Sequence, residues 1–258
     1  MEEEKYSPDK ENNLRKYMSI SSLSLGINLK IENIDKLIIY LKIISYYQKK
    51  MNITSTRDPF NIIDKHFLDS LSCVGLVSQN IEKFWKKKKT KIIDVGSGAG
   101  FPGIPIKIIL PGVRMTLLEA RKNKKTFLAK AAASLELKNT IVIQNRAENL
   151  GRTAEYREKY HIVLSRAVAP LGVLCEYCLP LCTKQGAMIA FKGSSYYQEL
   201  MMNDKVIEKL GGSLESVNLI KVPYSKHIRA ILIIRKINPT PESLPRRNGI
   251  PQKRPLCF

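Results

Sequence analysis

The residues best suited to chemistry lie in one run, Lys91-Ile-Ile-Asp94-Val-Gly96-Ser-Gly98-Ala-Gly100-Phe101-Pro-Gly103. A short apolar stretch of strand character leads into closely spaced glycines and then into a helical pattern. Glycines belong where a cofactor must approach the backbone and where a tight turn needs a positive φ. A dinucleotide fingerprint places them at i, i+2 and i+5, but here Phe101 stands at i+5 from Gly96 and the third glycine, Gly100, is at i+4. G-x-G-x-G behind an acidic strand is the arrangement of an S-adenosylmethionine site, where no pyrophosphate is held. Asp94 adds an acid suited to a sulfonium or its amino group. A glycine turn without a ligand is the alternative, and four glycines between Gly96 and Gly103 argue against it.

A second acid checks this reading. The ribose hydroxyls call for a carboxylate at the end of the second strand, about 20 residues on, and Glu119 closes Met115-Thr-Leu-Leu-Glu119 there. After the third strand, Asn145-Arg146-Ala147-Glu148 is placed to hold the adenine. After the fourth, Ser165-Arg166-Ala167-Val168-Ala169-Pro170 stands where methyltransferases keep catalytic or substrate residues. The D/N-P-P-Y/F motif of amino-methylating enzymes is absent. Carbon-5 attack on a pyrimidine would need a nucleophilic cysteine at a strand end, and the cysteines here read as helical and buried. What remains is a substrate atom with a free lone pair, such as guanine N7, which needs position and in-line alignment rather than a general base. Arg166 is expected to pair with the cofactor carboxylate or an RNA phosphate.

The elements around these residues alternate. Short apolar runs at 91–95, 114–118, 141–144, 162–165 and 187–191 are followed by helical patterns at 104–110, 122–137, 153–160, 171–181 and 196–210. That alternation predicts a doubly wound α/β sheet. The runs 217–222 and 229–237 are too close for an intervening helix and predict an antiparallel hairpin. The whole is a class I S-adenosylmethionine-dependent methyltransferase fold, Rossmann-like, with a mostly parallel seven-stranded sheet. The expected division is a mobile polar arm (1–26), an N-terminal helical cap (27–90) with a helix over 62–77, the methyltransferase domain (91–237) and a basic, proline-rich tail without regular structure (238–258).

Of 258 residues, 44% are hydrophobic and 26% charged, which excludes wholesale disorder. Lys plus Arg number 43 against 23 Asp plus Glu, a net charge of +20. Such an excess suggests a polyanionic partner or a lysine-rich proteome. Its densest clusters outside the cofactor segments are Lys86, Lys87, Lys88 and Lys89, and the tail residues Arg246, Arg247, Lys253 and Arg254. Both are candidate phosphate contacts, with a solubilising surface as the alternative. No run approaches the ~18 apolar residues of a membrane span, and Glu2-Glu3-Glu4 is the wrong sign for a targeting peptide. A cytoplasmic protein without membrane contact is expected. Cys175, Cys178 and Cys182 share a helical face, and with no fourth ligand nearby they read as core rather than metal site.

The chain resembles the RsmG (GidB) family, bacterial methyltransferases of the N7 of a guanine in small-subunit (16S) ribosomal RNA. The resemblance rests on Asn52-Ile-Thr54, Arg57-Asp58-Pro59, His66-Phe-Leu-Asp69-Ser70, the glycine run extended through Gly103-Ile-Pro105, Ser165-Arg166-Ala167, and the tail from Leu244-Pro-Arg246-Arg247 to Leu256. It implies S-adenosylmethionine contacts at Gly96, Phe101, Ala147, Glu148 and Arg166, beside those expected at Gly98, Gly100 and Glu119. It also implies small-subunit RNA or the ribosomal subunit as partner. A monomer is expected, and no metal. Two rivals stay open: a methyltransferase of another RNA, and an idle RNA-binding assembly protein. Intact Gly96, Gly98, Gly100 and Glu119 argue against the second.

Overall fold

The computed structural model describes residues 4–85, 89–223 and 228–257. Its centre is one seven-stranded sheet of β1 (Lys91–Val95), β2 (Arg114–Glu119), β3 (Thr140–Gln144), β4 (Tyr160–Arg166), β5 (Cys182–Lys192), β6 (Gly212–Lys221) and β7 (Ile228–Lys236). The order is β3-β2-β1-β4-β5-β7-β6. β1 to β5 pair in parallel, and β7 runs antiparallel between β5 and β6. This is the class I methyltransferase sheet expected from the alternation, closing hairpin included. The chain leaves β1 in one direction and β4 in the other, so the carboxyl ends of these neighbours make the switch point where ligands settle in open α/β sheets.

Because side chains alternate along a strand, the sheet splits its apolar residues between two cores. Ile92, Leu117, Ile162, Leu164 and Ile189 face one; Ile93, Leu118, Val163, Met188 and Ala190 face the other. The second is covered by α8 (Ala147–Arg152), α9 (Leu171–Cys178) and α10 (Tyr196–Lys209). The first is covered by α6 (Gly103–Ile109) and α7 (Lys122–Ser134) together with the N-terminal helices, α1 (Pro8–Leu23), α2 (Ile31–Gln48) and the helical segment from Pro59. Residues 27–85 therefore share a core with the sheet. The segment from Pro59 starts as α3 (Pro59–Ile62), widens to π-helical turns over Ile63–Leu68, returns as α4 (Asp69–Leu71) and breaks before α5 (Val74–Trp85). The single helix expected over 62–77 is thus four pieces.

Both ends of the chain depart from the sequence reading. The N-terminal segment carries α1, capped by Ser7 and holding Leu14 and Met18 fully buried. Its apolar stripe is narrow, which is why its composition reads as an arm. The tail is packed rather than extended: Leu244 and Pro251 are buried, and Ile250–Lys253 forms α11. Arg157 holds it by donating to the carbonyls of Leu244 (2.7 Å), Thr240 (2.6 Å) and Pro241 (3.1 Å). The helix expected over 153–160 is replaced by α8, which ends where Thr153 turns extended. Cys175, Cys178 and Cys182 are buried and free, but Cys182 opens β5 instead of continuing the helix, since Pro180 turns the chain through a 3-10 turn at Leu179–Leu181.

Candidate active site

The loop after β1 bends through Gly96 (φ 72°), Gly98 (φ 59°) and Gly100 (φ 90°), a region that L side chains enter at a cost. The three glycines meet different neighbours. A Cβ on Gly96 would lie 2.5 Å from Cγ2 of Val168. One on Gly98 would meet nothing nearer than the Gly96 carbonyl at 3.8 Å. One on Gly100 would strike Ile104 and the Tyr40 hydroxyl, at 2.5 and 2.6 Å. Gly100 thus serves packing against α2, where the Tyr40 hydroxyl also donates to the Ala99 carbonyl.

Gly96 and Gly98 line a cleft of about 320 Å³ at the carboxyl ends of β1, β2 and β4. Its other walls include Glu119, Asn145, Arg146, Ala147, Glu148, Ala167, Val168, Tyr177 and, from the tail, Gln252. Glu119 is positioned by backbone donors: Gly98 N–H reaches Oε2 at 3.0 Å and Arg121 N–H reaches Oε1 at 2.8 Å. Each carboxylate oxygen keeps a lone pair for a ligand hydroxyl. Glu148 accepts from Gly249 N–H at 3.0 Å, which fixes the start of α11 against the cleft.

An S-adenosylmethionine molecule suits these residues. Open space beside Gly98 admits a ligand against bare backbone, and Glu119 offers charged acceptors to a diol. Asn145 to Glu148, where the chain turns from β3 into α8, make the segment expected at the adenine. Three of the residues expected here lie outside this lining. Asp94 does not line the cleft: it is fully buried, its Oδ2 accepts from Gly103 N–H at 3.0 Å at the start of α6, and burial pushes its carboxyl up to about 7. Phe101 is also outside the lining, in an aromatic cluster with Tyr40, Phe67 and His66. Arg166 lines the neighbouring pocket instead.

That second pocket, about 340 Å³, shares Ala167 and Ala169 with the first and adds Lys65, His66, Asp69, Arg166, Phe191, Lys192, Glu199 and Arg229. Asp69 is buried at its centre. Its Oδ2 accepts from Arg166 Nη1 at 2.6 Å and its Oδ1 from Arg229 Nε at 2.7 Å. Arg166 Nη2 also lies 2.9 Å from Nδ1 of His66, and Lys192 pairs with Glu199 at 2.6 Å. Ala167, in the shared wall, holds φ 56° without being glycine, the kind of local strain that gathers at ligand sites. None of these partners except Arg166 was singled out as a cofactor or RNA contact. The signal was the His66–Ser70 block, which carried resemblance but no role.

The candidate RNA contacts scatter. Lys86, Lys87 and Lys88 lie outside the described residues. Lys89 is exposed just before β1, at the end of that strand opposite the cleft. Arg246 is a correction: it pairs with buried Glu176 at 2.6 Å and its Nη1 donates to the Arg254 carbonyl, so it anchors the tail. Arg247, Lys253 and Arg254 are exposed on the same tail segment that brings Gln252 to the cleft. Burial pushes the thiols of Cys175 and Cys178 far up, and that of Cys182 up to about 12, so none is poised as a nucleophile.

Comparison with known proteins matches this architecture to a family. The sequence model of GidB, described as rRNA small subunit methyltransferase G, matches residues 33–229. The "Ribosomal RNA small subunit methyltransferase G" of Acetivibrio thermocellus is 40% identical over 248 residues, 96% of this chain and 99% of its own. The protein of that name from Alkaliphilus oremlandii is 41% identical over 233 residues, covering 90% and 95%. That from Bacillus subtilis is 38% identical over 231, covering 90% and 94%. With a glycine-loop cleft at the switch point of the sheet and this likeness over nearly its whole length, the chain belongs to the GidB family of S-adenosylmethionine-dependent methyltransferases.

Proposed function

We propose that this protein methylates small-subunit ribosomal RNA at the N7 of a guanine. The observation that carries the choice of atom is the state of the second pocket's polar groups. Its carboxylates, Asp69 and Glu199, are held in ion pairs, and Nδ1 of His66 is engaged by Arg166. No side chain among the pocket's described residues stands free to take a proton. That suits N7, whose lone pair needs none removed, and disfavours an amino group or hydroxyl that must lose one.

S-adenosylmethionine supplies a methyl group on a sulfonium, open to in-line displacement by a lone pair. The chain's part is positional. Glu119 would hold the ribose hydroxyls, the Asn145–Glu148 segment the adenine, and the bare backbone of Gly96 and Gly98 would let the cofactor lie close. The shared wall of Ala167 and Ala169 sets the two pockets side by side, and Lys65 and the exposed tail cations Arg247, Lys253 and Arg254 offer phosphate contacts. A ribosomal substrate places the reaction in the cytoplasm.

The test incubates the purified protein with methyl-labelled S-adenosylmethionine and either naked small-subunit RNA or the assembled subunit. Label is expected in N7-methylguanosine at one position, found by reductive strand cleavage and primer extension. Label in another base, or transfer only to a different RNA, would overturn the proposal.

A further inference from the structure

His66 lies in the π-helical stretch, a distortion frequent at functional sites. Its ring stacks on Phe101, centroids 4.9 Å apart and planes 16° apart, and it lines the second pocket. Arg166 Nη2 approaches Nδ1 at 2.9 Å. A guanidinium only donates, so Nδ1 accepts and the ring's own proton sits on Nε2. The ring is neutral at physiological pH: burial, reinforced by the charge of Arg166, lowers its pKa to about 4. Nε2 is therefore an N–H donor. It is closed to solvent and has no partner among the described residues, so an acceptor reaches it only when side chains around the pocket shift on binding.

The pocket's carboxylates and Lys192 are already paired. Asp69 receives two arginines, Glu199 receives Lys192 and the Leu171 N–H, and Lys192 also donates to the Ala169 carbonyl. A buried donor without an acceptor is unfavourable, and a ligand that brings one is rewarded.

Resting on the guanine-N7 reading, we infer that His66 is a specificity-determining residue whose Nε2–H donates to O6 of the target guanine. Guanine presents N7 and O6 as neighbouring acceptors on one edge, whereas adenine carries a donor amino group where O6 would be. N7 must keep its lone pair for the methyl group, so that edge can be held only through O6. A fixed donor there accepts guanine and sets donor against donor for adenine. The base becomes cationic as the new C–N bond forms, and a neutral imidazole does not oppose that charge as an imidazolium would. Arg166 is a positioning residue in this scheme, because its bond to Nδ1 selects the tautomer.

The experiment uses RNA in which the mapped guanine is replaced by 2-aminopurine, which keeps N7 and lacks O6. Values of kcat/KM on the two RNAs are compared for wild type, His66→Phe and His66→Gln, with S-adenosylmethionine affinity measured for each. Wild type is expected to favour guanine. His66→Phe keeps a stacked ring without the donor and should lose about tenfold on guanine RNA, the scale of one hydrogen bond, and treat both RNAs alike. His66→Gln, whose amide can donate, should recover part of the preference. Equal kcat/KM of wild type on the two RNAs overturns the assignment without any variant. Discrimination undiminished in His66→Phe overturns it too, and leaves the guanine-N7 reading standing. Wild type that methylates no guanine overturns that reading, and the assignment with it.

Discussion

The two pockets at the head of the sheet are built by opposite means. The cofactor cleft is a backbone structure. Its loop follows one strand directly, its glycines hold positive φ, and its key carboxylate is fixed by two main-chain N–H groups. The neighbouring pocket is a side-chain structure, in which Asp69 grips arginines 97 and 160 residues away. Backbone sites confine residue type at fixed spacings and so leave a pattern in the chain. Sites made by pairing need only that opposite charges meet in space, and they leave none.

The largest effect expected concerns the tail, which belongs to the first pocket through Gln252. Truncation after Asn238 removes Arg246 and strands Glu176, which is fully buried. Breaking such a pair costs about 3–5 kcal/mol, a large part of the 5–15 kcal/mol typical of a whole domain. The lost carbonyl partners of Arg157 add to it. Thermal unfolding should show a steep drop in Tm, and calorimetry a weakened hold on S-adenosylmethionine. A truncated protein that melts with the full-length chain would return the tail to the status of an appendage.

Asp69→Leu comes next. It leaves half-buried Arg166 without its counter-ion, while Arg229, about one-third exposed, can turn to solvent. The cost should fall near the lower end for a broken buried pair, about 3 kcal/mol. S-adenosylmethionine affinity should stay close to wild type at temperatures where the variant is folded, because Asp69 does not line the cleft. Glu119→Gln should do the reverse. It loses the charge and sets an amide N–H against one of the two main-chain donors, so cofactor affinity should drop by about 1.5–3 kcal/mol, or about 10- to 150-fold, with a smaller loss of Tm than in Asp69→Leu. If the two variants lowered both properties alike, the two pockets would not be separate devices.

This contrast also explains what could be read beforehand. The strands, the hairpin, the glycine loop and Glu119 were legible because each is set by local periodicity or by a fixed offset from a neighbour. The order of α1 was not, since Leu14 and Met18 are a thin stripe among charges. The ion pairs of Asp69, and the capture of Arg246 by Glu176, depend on contacts between elements, and a basic tail looks the same in sequence whether it is solvated or docked. Asp94 shows the converse error. Its place beside the loop is local and was read correctly, but its direction, inward to α6, is set by packing.

The smallest effect separates two glycines of one loop. Gly96 and Gly98 have similar φ, 72° and 59°, so alanine at either pays a similar conformational penalty, about 1–2 kcal/mol for an L-residue in the left-handed region. That common cost cancels when the two variants are compared. What remains is the surroundings. The new methyl at Gly96 meets Val168 at 2.5 Å, whereas at Gly98 nothing lies nearer than 3.8 Å. Gly96→Ala should therefore be the less stable by denaturant unfolding, because Val168 has to shift. Gly98→Ala should lose only the conformational increment, and its methyl should stand in space the cofactor needs, so its loss of S-adenosylmethionine affinity should exceed its loss of stability. Equal destabilisation by the two substitutions, with cofactor binding untouched in Gly98→Ala, would mean that the open side of the loop is not where the ligand lies.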